Sequence, residues 1–206
     1  MARDRQSPPQ DKPQAMPSPA RIQQRLMNKA VHYLGRYAAS QAKLEEVLRR
    51  FAMRKLPQVG PADLQAPMQA VIEKCVSLGY VDDSAFARTK WRSGLAAGRS
   101  PRFLSQKLRQ AGIDQSIIQT LLHEGEDDAV SDPVFTEMQA ALVMARKRRL
   151  GPYCPAPPSE FSEKQKQMAK LVRAGFSLDI CRQLMEFPGP EEAESWLDRH
   201  KPDFYR

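Results

Sequence analysis

Between Ser84 and Ile113 stand seven cations, Arg88, Lys90, Arg92, Arg99, Arg102, Lys107 and Arg109, and not one carboxylate. An ordinary solvated helix face intersperses its signs, so a segregated run of this kind points to a polyanionic partner. The chemistry is binding rather than bond-making. Each phosphate neutralised by a cation releases counterions, so affinity should fall steeply with salt. Arg88, Arg92, Arg99, Arg102, Lys107 and Arg109 are the candidate contacts. The run Arg146-Lys147-Arg148-Arg149 adds Lys147 and Arg148, although cations also suit the negative end of a helix dipole.

Other reactive residue types make weaker patterns. Asp82-Asp83 has the look of a carboxylate pair, yet helix capping and turn formation account for two aspartates after Gly79-Tyr80-Val81. His32, His123 and His200 are far apart and near no nucleophile or metal-ligand spacing. Cys75, Cys154 and Cys181 are odd in number, widely spaced and without a CxxC pair, which reads as incidental thiols in a reducing compartment. Trp91 could stack on an unpaired base, but it shares an apolar stripe with Ala87 and reads as core. Walker, GxGxxG and HExxH motifs are absent from the sequence. No catalytic centre, cofactor or metal is expected.

The elements that carry these residues read as helices throughout. The chain has 206 residues, a formal net charge of +8 and a hydrophobic content of 41%. No apolar run approaches the roughly 18 residues needed to span a bilayer, and the N-terminus lacks a signal-peptide pattern. A cytoplasmic chain with no membrane contact is expected, and a monomer. Residues 1–20, rich in Pro, Gln and Ser, read as a disordered, mildly basic tail. Apolar residues then recur at three- and four-residue spacing. Leu26, Ala30, Tyr33 and Leu34 make a first stripe, Leu44, Val47, Leu48 and Phe51 a second, and Met68, Val71, Ile72 and Cys75 a third. Ser40, Asp82 or Asp83, and Ser100-Pro101 read as helix starts, and Gly79, Gly98, Gly112 and Gly175 as stops. An acidic link follows His123, and a Pro-rich break covers 151–158.

A repeat joins these helices. An offset of 60 lays Ser40 on Ser100, Leu44 on Leu104, Leu48 on Leu108 and Met53 on Ile113. An offset of 63 lays Leu108 on Leu171, Gly112 on Gly175, Ile117 on Ile180 and Leu121 on Leu184. The expected fold is all-α: three tandem three-helix repeats at 21–79, 80–128 and 129–190, followed by an acidic tail at 191–206 in which Trp196 and Leu197 are available to dock a short final helix. Such an array should be elongated.

The stretches Gly79-Tyr80-Val81-Asp82-Asp83-Ser84-Ala85-Phe86-Ala87 and Gly98-Arg99-Ser100-Pro101-Arg102-Phe103-Leu104-Ser105-Gln106-Lys107-Leu108 resemble the regulatory protein RecX family. Gly112-Ile113, Ile117 and the upstream Tyr37–Leu44 segment extend the resemblance, which covers about residues 26 to 187. It implies a curved array of three three-helix repeats. It also implies non-enzymatic binding to the filament of the RecA recombinase on DNA, restraining its ATPase, strand-exchange and SOS co-protease activities and so regulating DNA repair and homologous recombination. The family usually has a basic residue before the first repeat's serine, where this chain has Ala39. From the residues alone, a stand-alone DNA- or RNA-binding protein and a helical protein-interaction scaffold remain open as alternatives.

Overall fold

The computed structural model describes residues 16–123, 132–155 and 161–201. These residues form ten α-helices and no strand, the all-α architecture expected. None of the helices is long and apolar enough to cross a membrane. Proline at the first helical position opens five of them, at Pro19, Pro61, Pro101, Pro133 and Pro190. A missing N–H costs nothing there, because that group has no partner inside the helix. The chain divides into two compact units, Met1–Ala38 with Leu44–Val81, and Ala39–Lys43 with Asp82–Arg206.

In the first unit α1 (Pro19–Leu34) packs on α3 (Pro61–Ser77), and α2 (Gln41–Lys55) completes the core. Ile22, Leu26 and Ala30 bury against Leu44, Leu48, Ala52, Val71 and Cys75. Burying a leucine such as Leu26 or Leu48 completely contributes about 1.5–3 kcal/mol. The Arg25 guanidinium donates to Lys55 O at 3.0 Å, closing the carbonyl end of α2.

Two expectations change here. Helix α1 starts at Pro19, with Ser18 Oγ accepting from Arg21 N at 3.4 Å, so residues 19–20 are helix rather than tail. The offset of 60 also fails at its end. Met53 is 61% exposed while Leu56 is fully buried. Ala52 stands where the next repeat has Gly112, so α2 runs on to Lys55 and its apolar anchor falls three residues later.

The second unit holds two apolar clusters. One is built by α4 (Asp83–Ala96), α5 (Pro101–Gln110) and α6 (Gln115–His123) around Ala87, Trp91, Leu104, Leu108 and Ile118. The other is built by α7 (Pro133–Arg148), α8 (Phe161–Arg173), α9 (Leu178–Glu186) and α10 (Pro190–His200) around Met138, Leu142, Leu171, Ile180 and Leu184. Leu95 packs against both. A single 3₁₀ turn, Gly151–Tyr153, with Pro152 buried, occupies the start of the expected break. Residues 156–158 of that break and the acidic link at 124–131 lie outside the described residues. Within the acidic tail the short final helix expected from Trp196 and Leu197 runs over Pro190–His200, with Ala193 and Trp196 buried in the last cluster beside Phe135 and Phe187.

Two buried serines organise this unit. Ser100 Oγ accepts from Phe103 N at 3.2 Å, capping α5, and donates to Ala174 O at 2.7 Å, the turn that ends α8. Ser40 repeats the arrangement, accepting from Lys43 N at 3.2 Å and donating to Ala111 O at 2.6 Å. The next residue of each turn is a glycine at positive φ, Gly112 at 76° and Gly175 at 93°. A Cβ on Gly175 would stand 2.6 Å from Ser100 Oγ, and one on Gly112 would stand 2.3 Å from Ala42 Cβ.

Ser100→Ala removes a cap and strands a partly buried carbonyl, so it should lower unfolding stability by about 2 kcal/mol in urea titration. Ser105→Ala serves as the control: its hydroxyl reaches only Pro101 O within its own helix. Equal losses in the two variants would refute the joint.

The thiols give a second prediction. Burial raises the Cys75 thiol, and burial with nearby Glu137 pushes Cys181 up to about 11 from its ordinary 9.0. Both should resist alkylation at pH 8 until the chain unfolds, while half-buried Cys154 reacts first. Because the folded Cys181 value is the raised one, its contribution to stability is full below pH 9 and lost as pH rises towards 11.

Candidate nucleic-acid interface

The cation run begins where two carboxylates have already been committed to backbone. Asp82 Oδ1 accepts from Ala85 N at 2.9 Å and caps α4, and Asp83 Oδ1 accepts from Gln41 N at 2.9 Å. The pair is architecture, as its turn context suggested. The next acid, Asp114, accepts from Ser116 N at 2.8 Å and Ser116 Oγ at 2.5 Å. Those bonds hold its carboxyl below the usual carboxylate range and keep it charged at neutral pH. Between them every cation is exposed.

Helix geometry distributes those cations. On α4 the buried stripe is Ala87, Trp91 and Gly94, so Arg88 and Arg92 fall together on one flank and Lys90 on the other. The Lys90 ammonium lies 5.5 Å from the centroid of Phe86, one turn earlier. On α5 the buried residues Leu104, Ser105 and Leu108 leave Arg102 and Arg109 on one flank, two turns apart. Lys107 falls on the opposite flank with Phe103.

Phe103 is where the structure gathers charge. The Arg99 guanidinium lies 5.0 Å and the Lys107 ammonium 5.8 Å from its centroid, and Lys107 also donates to Gln110 Oε1 at 3.2 Å. The sequence reasoning missed this residue, although the signal was present: Arg99, Phe103 and Lys107 stand at successive four-residue intervals. Trp91, by contrast, is 2% exposed and offers no stacking surface.

The second basic cluster divides by role. Arg146 ion-pairs with Glu194 and lies 5.3 Å from the Tyr153 centroid. Lys147 Nζ donates to Ala97 O at 3.1 Å, closing the carbonyl end of α4. Arg148 is exposed and has no described partner. The Lys147 contact brings the end of α7 to the turn that carries Arg99, so two runs separated in sequence adjoin in the fold. The structure does not bring all eight candidates onto one ring or into one pocket.

A groove of about 590 Å³ in the first unit is lined by Met53, Leu56, Pro57, Leu64, Met68 and Ile72, among others. Its ionisable lining residues, Glu45 and Arg49, pair with each other. That lining holds neither a nucleophile nor a free general base.

Comparison with known proteins converges on one group. The family model for the second three-helix domain of RecX matches residues 82–122. A Regulatory protein RecX of Myxococcus xanthus is 34% identical over 163 residues, covering 78% of this chain and 84% of that protein. A Regulatory protein RecX of Agrobacterium fabrum is 30% identical over 184 residues, covering 89% and 94%. A solved structure of a regulatory protein RecX superposes with a TM-score of 0.62 at 21% identity, covering 82% of this chain and 74% of that one. Another, from Lactobacillus salivarius, gives 0.58 at 18% identity, covering 85% and 99%. At those identities the superpositions speak for the fold alone.

Residues 82–122 contain six of the eight candidates; Lys147 and Arg148 lie outside. Lys147 also has an internal role, and the two roles are separable. Lys147→Met should lower stability by about 0.5–1 kcal/mol through the lost carbonyl cap. Arg148→Met loses only its interaction with the helix dipole and should cost less, about 0.3 kcal/mol. If Lys147→Met melts like the parent in calorimetry, the Ala97 bond is not a structural contact.

Proposed function

The chain belongs to the regulatory protein RecX family, and from that premise we propose that it binds the RecA recombinase–DNA filament in the cytoplasm and restrains it without catalysing a reaction. ATPase turnover, strand exchange and co-protease activity are the outputs it lowers, and through them DNA repair, homologous recombination and the SOS response. Arg88, Arg92, Arg99, Arg102, Lys107 and Arg109, joined by Lys147 and Arg148, are the contacts.

One observation carries this reading: the seven-cation, acid-free run of α4 and α5 stays exposed in the folded chain. Arg88, Arg102 and Arg109 have no ion pair among the described residues. Folding therefore leaves them available to phosphate oxygens or to an acidic filament surface, where a guanidinium fork makes two parallel bonds. Ala39, at the position where the family usually has a base, is buried. The contact expected there falls instead to its counterpart one repeat later, Arg99, beside the equivalent serine.

Two measurements test this. In a recombinase ATPase assay on single-stranded DNA, inhibition should appear well below one regulator per recombinase. Inhibition that develops only when the DNA itself is saturated would assign the effect to competition for DNA, the stand-alone nucleic-acid binder. Secondly, Arg99→Ala with Arg102→Ala should weaken binding and flatten its salt dependence by up to about two units of log–log slope. An unchanged slope in a folded variant moves the interface elsewhere.

A further inference from the structure

Among the described residues Arg149 is the one non-glycine at positive φ, with φ 53° and ψ 55°. Its surroundings show what the position asks for. Arg149 N donates to Arg146 O at 3.4 Å and Leu150 N to Ala145 O at 2.9 Å. The same pair of bonds closes α4, where Gly98 N donates to Leu95 O at 2.8 Å and Arg99 N to Gly94 O at 3.0 Å. Helices α3, α5 and α8 end the same way, on Gly79, Gly112 and Gly175 at positive φ. Four such turns use glycine because a Cβ is strained in that conformation. The fifth uses arginine.

No internal contact offsets that strain. Arg146 has Glu194 and Tyr153, and Lys147 has Ala97 O, but Arg149 is exposed with no described partner. The favourable field at the carbonyl end of α7 is already met by three cations in its last turn. The location, meanwhile, is specific. A Cβ on Gly98 would stand 2.7 Å from Met144 N and 3.1 Å from Val143 Cγ1, so the last turns of α7 lie against the turn that bears Arg99.

We propose that Arg149, with Arg148, is a phosphate contact that extends the cationic face of α4 and α5 along the end of α7, trading folding stability for nucleic-acid affinity. The partner is the phosphodiester backbone rather than an acidic protein surface. The inference rests on the proposed binding face and adds a contact 40 residues beyond that run in sequence, counting from Arg109 to Arg149.

The experiment compares Arg149→Gly, Arg149→Lys and the Arg99→Ala/Arg102→Ala pair in the full chain. Thermal unfolding is read alongside salt-dependent binding of a fluorescent oligothymidine without recombinase. Arg149→Gly should raise the melting temperature by about 2–4 °C through relief of strain. It should also weaken binding about three- to tenfold and reduce the salt slope by about 0.7. Arg149→Lys keeps the charge and should keep the slope.

A variant that melts higher yet binds with unchanged affinity and slope makes Arg149 a strained helix end and nothing more, and overturns the proposal. If Arg149→Gly spares oligonucleotide binding but abolishes ATPase inhibition, the partner is the recombinase surface and the proposal also falls. Should the Arg99/Arg102 pair weaken binding while Arg149→Gly does not, the broader interface stands without this extension. If neither matters, the interface itself is misplaced.

Discussion

A buried hydroxyl sets the geometry on which the second unit depends. The Ser100 oxygen satisfies an orphan N–H of its own helix and an orphan C=O of another helix's end with the same atom. One orphan group at each of two helix termini is thus satisfied within the protein. The bond works only at close range, which is why Gly175 cannot carry a Cβ: the added carbon would sit 2.6 Å from that oxygen. Ser40 and Gly112 recreate the device. Each joint couples a serine cap to a glycine stop, two residues that ordinary helix rules would treat as independent punctuation. The Arg102 Cβ lies 3.7 Å from where a Gly175 Cβ would be, so the joint also fixes where this cation emerges.

Much of this was legible in the sequence. Ser100-Pro101, Asp82 and Gly79 act as start and stop signals because capping is a local matter of one side chain and three residues of backbone. The core role of Trp91 followed from periodicity. The second bond of Ser40 and of Ser100 was not legible, since its acceptor lies 71 or 74 positions away and no local pattern encodes it. The Met53 register failed for a related reason. A leucine spacing shows which face of a helix is buried but not where the helix ends, and Ala52 gives no stop. Helix α10 was visible through its anchor, Trp196, within an otherwise acidic tail, and Glu191 and Glu192 in its first turn favour the helix.

The candidate interface was legible as composition and only partly as geometry. The acid-free run could be counted, but its distribution over flanks needed the buried stripe to be known. The cluster at Phe103 had a visible signal in its four-residue spacing. The approach of Lys147 to Ala97 had none, because it depends on how α7 crosses the end of α4. That contact changes the weight of the second basic run. Lys147 and Arg146 are held by internal partners, so charge alone overstates how much of 146–149 faces a ligand.

Helix dipoles separate the cations that structure explains from those it does not. Arg54 and Lys55 on α2, Lys107 and Arg109 on α5, and the last turn of α7 all sit at carbonyl ends, where positive charge is worth about 0.3–1 kcal/mol. Those positions would exist in a protein that bound nothing. Arg99 and Arg102 are placed oppositely. They flank the Ser100 cap at the amide end of α5, whose first turn holds no acid, so that dipole disfavours them, although Arg99 also follows the carbonyl end of α4. The Phe103 ring returns part of that for Arg99, on the order of 0.5–1 kcal/mol at an exposed site. Arg102 has no such contact. The amides here are largely spent, since Pro101 has no N–H and Phe103 N is held by Ser100 Oγ, so an anion brought to this end would meet chiefly the two guanidinium groups, turning an unfavourable arrangement into a favourable one. Arg102, without a ring contact and at the amide end of its helix, is therefore the cation of this run that folding least explains.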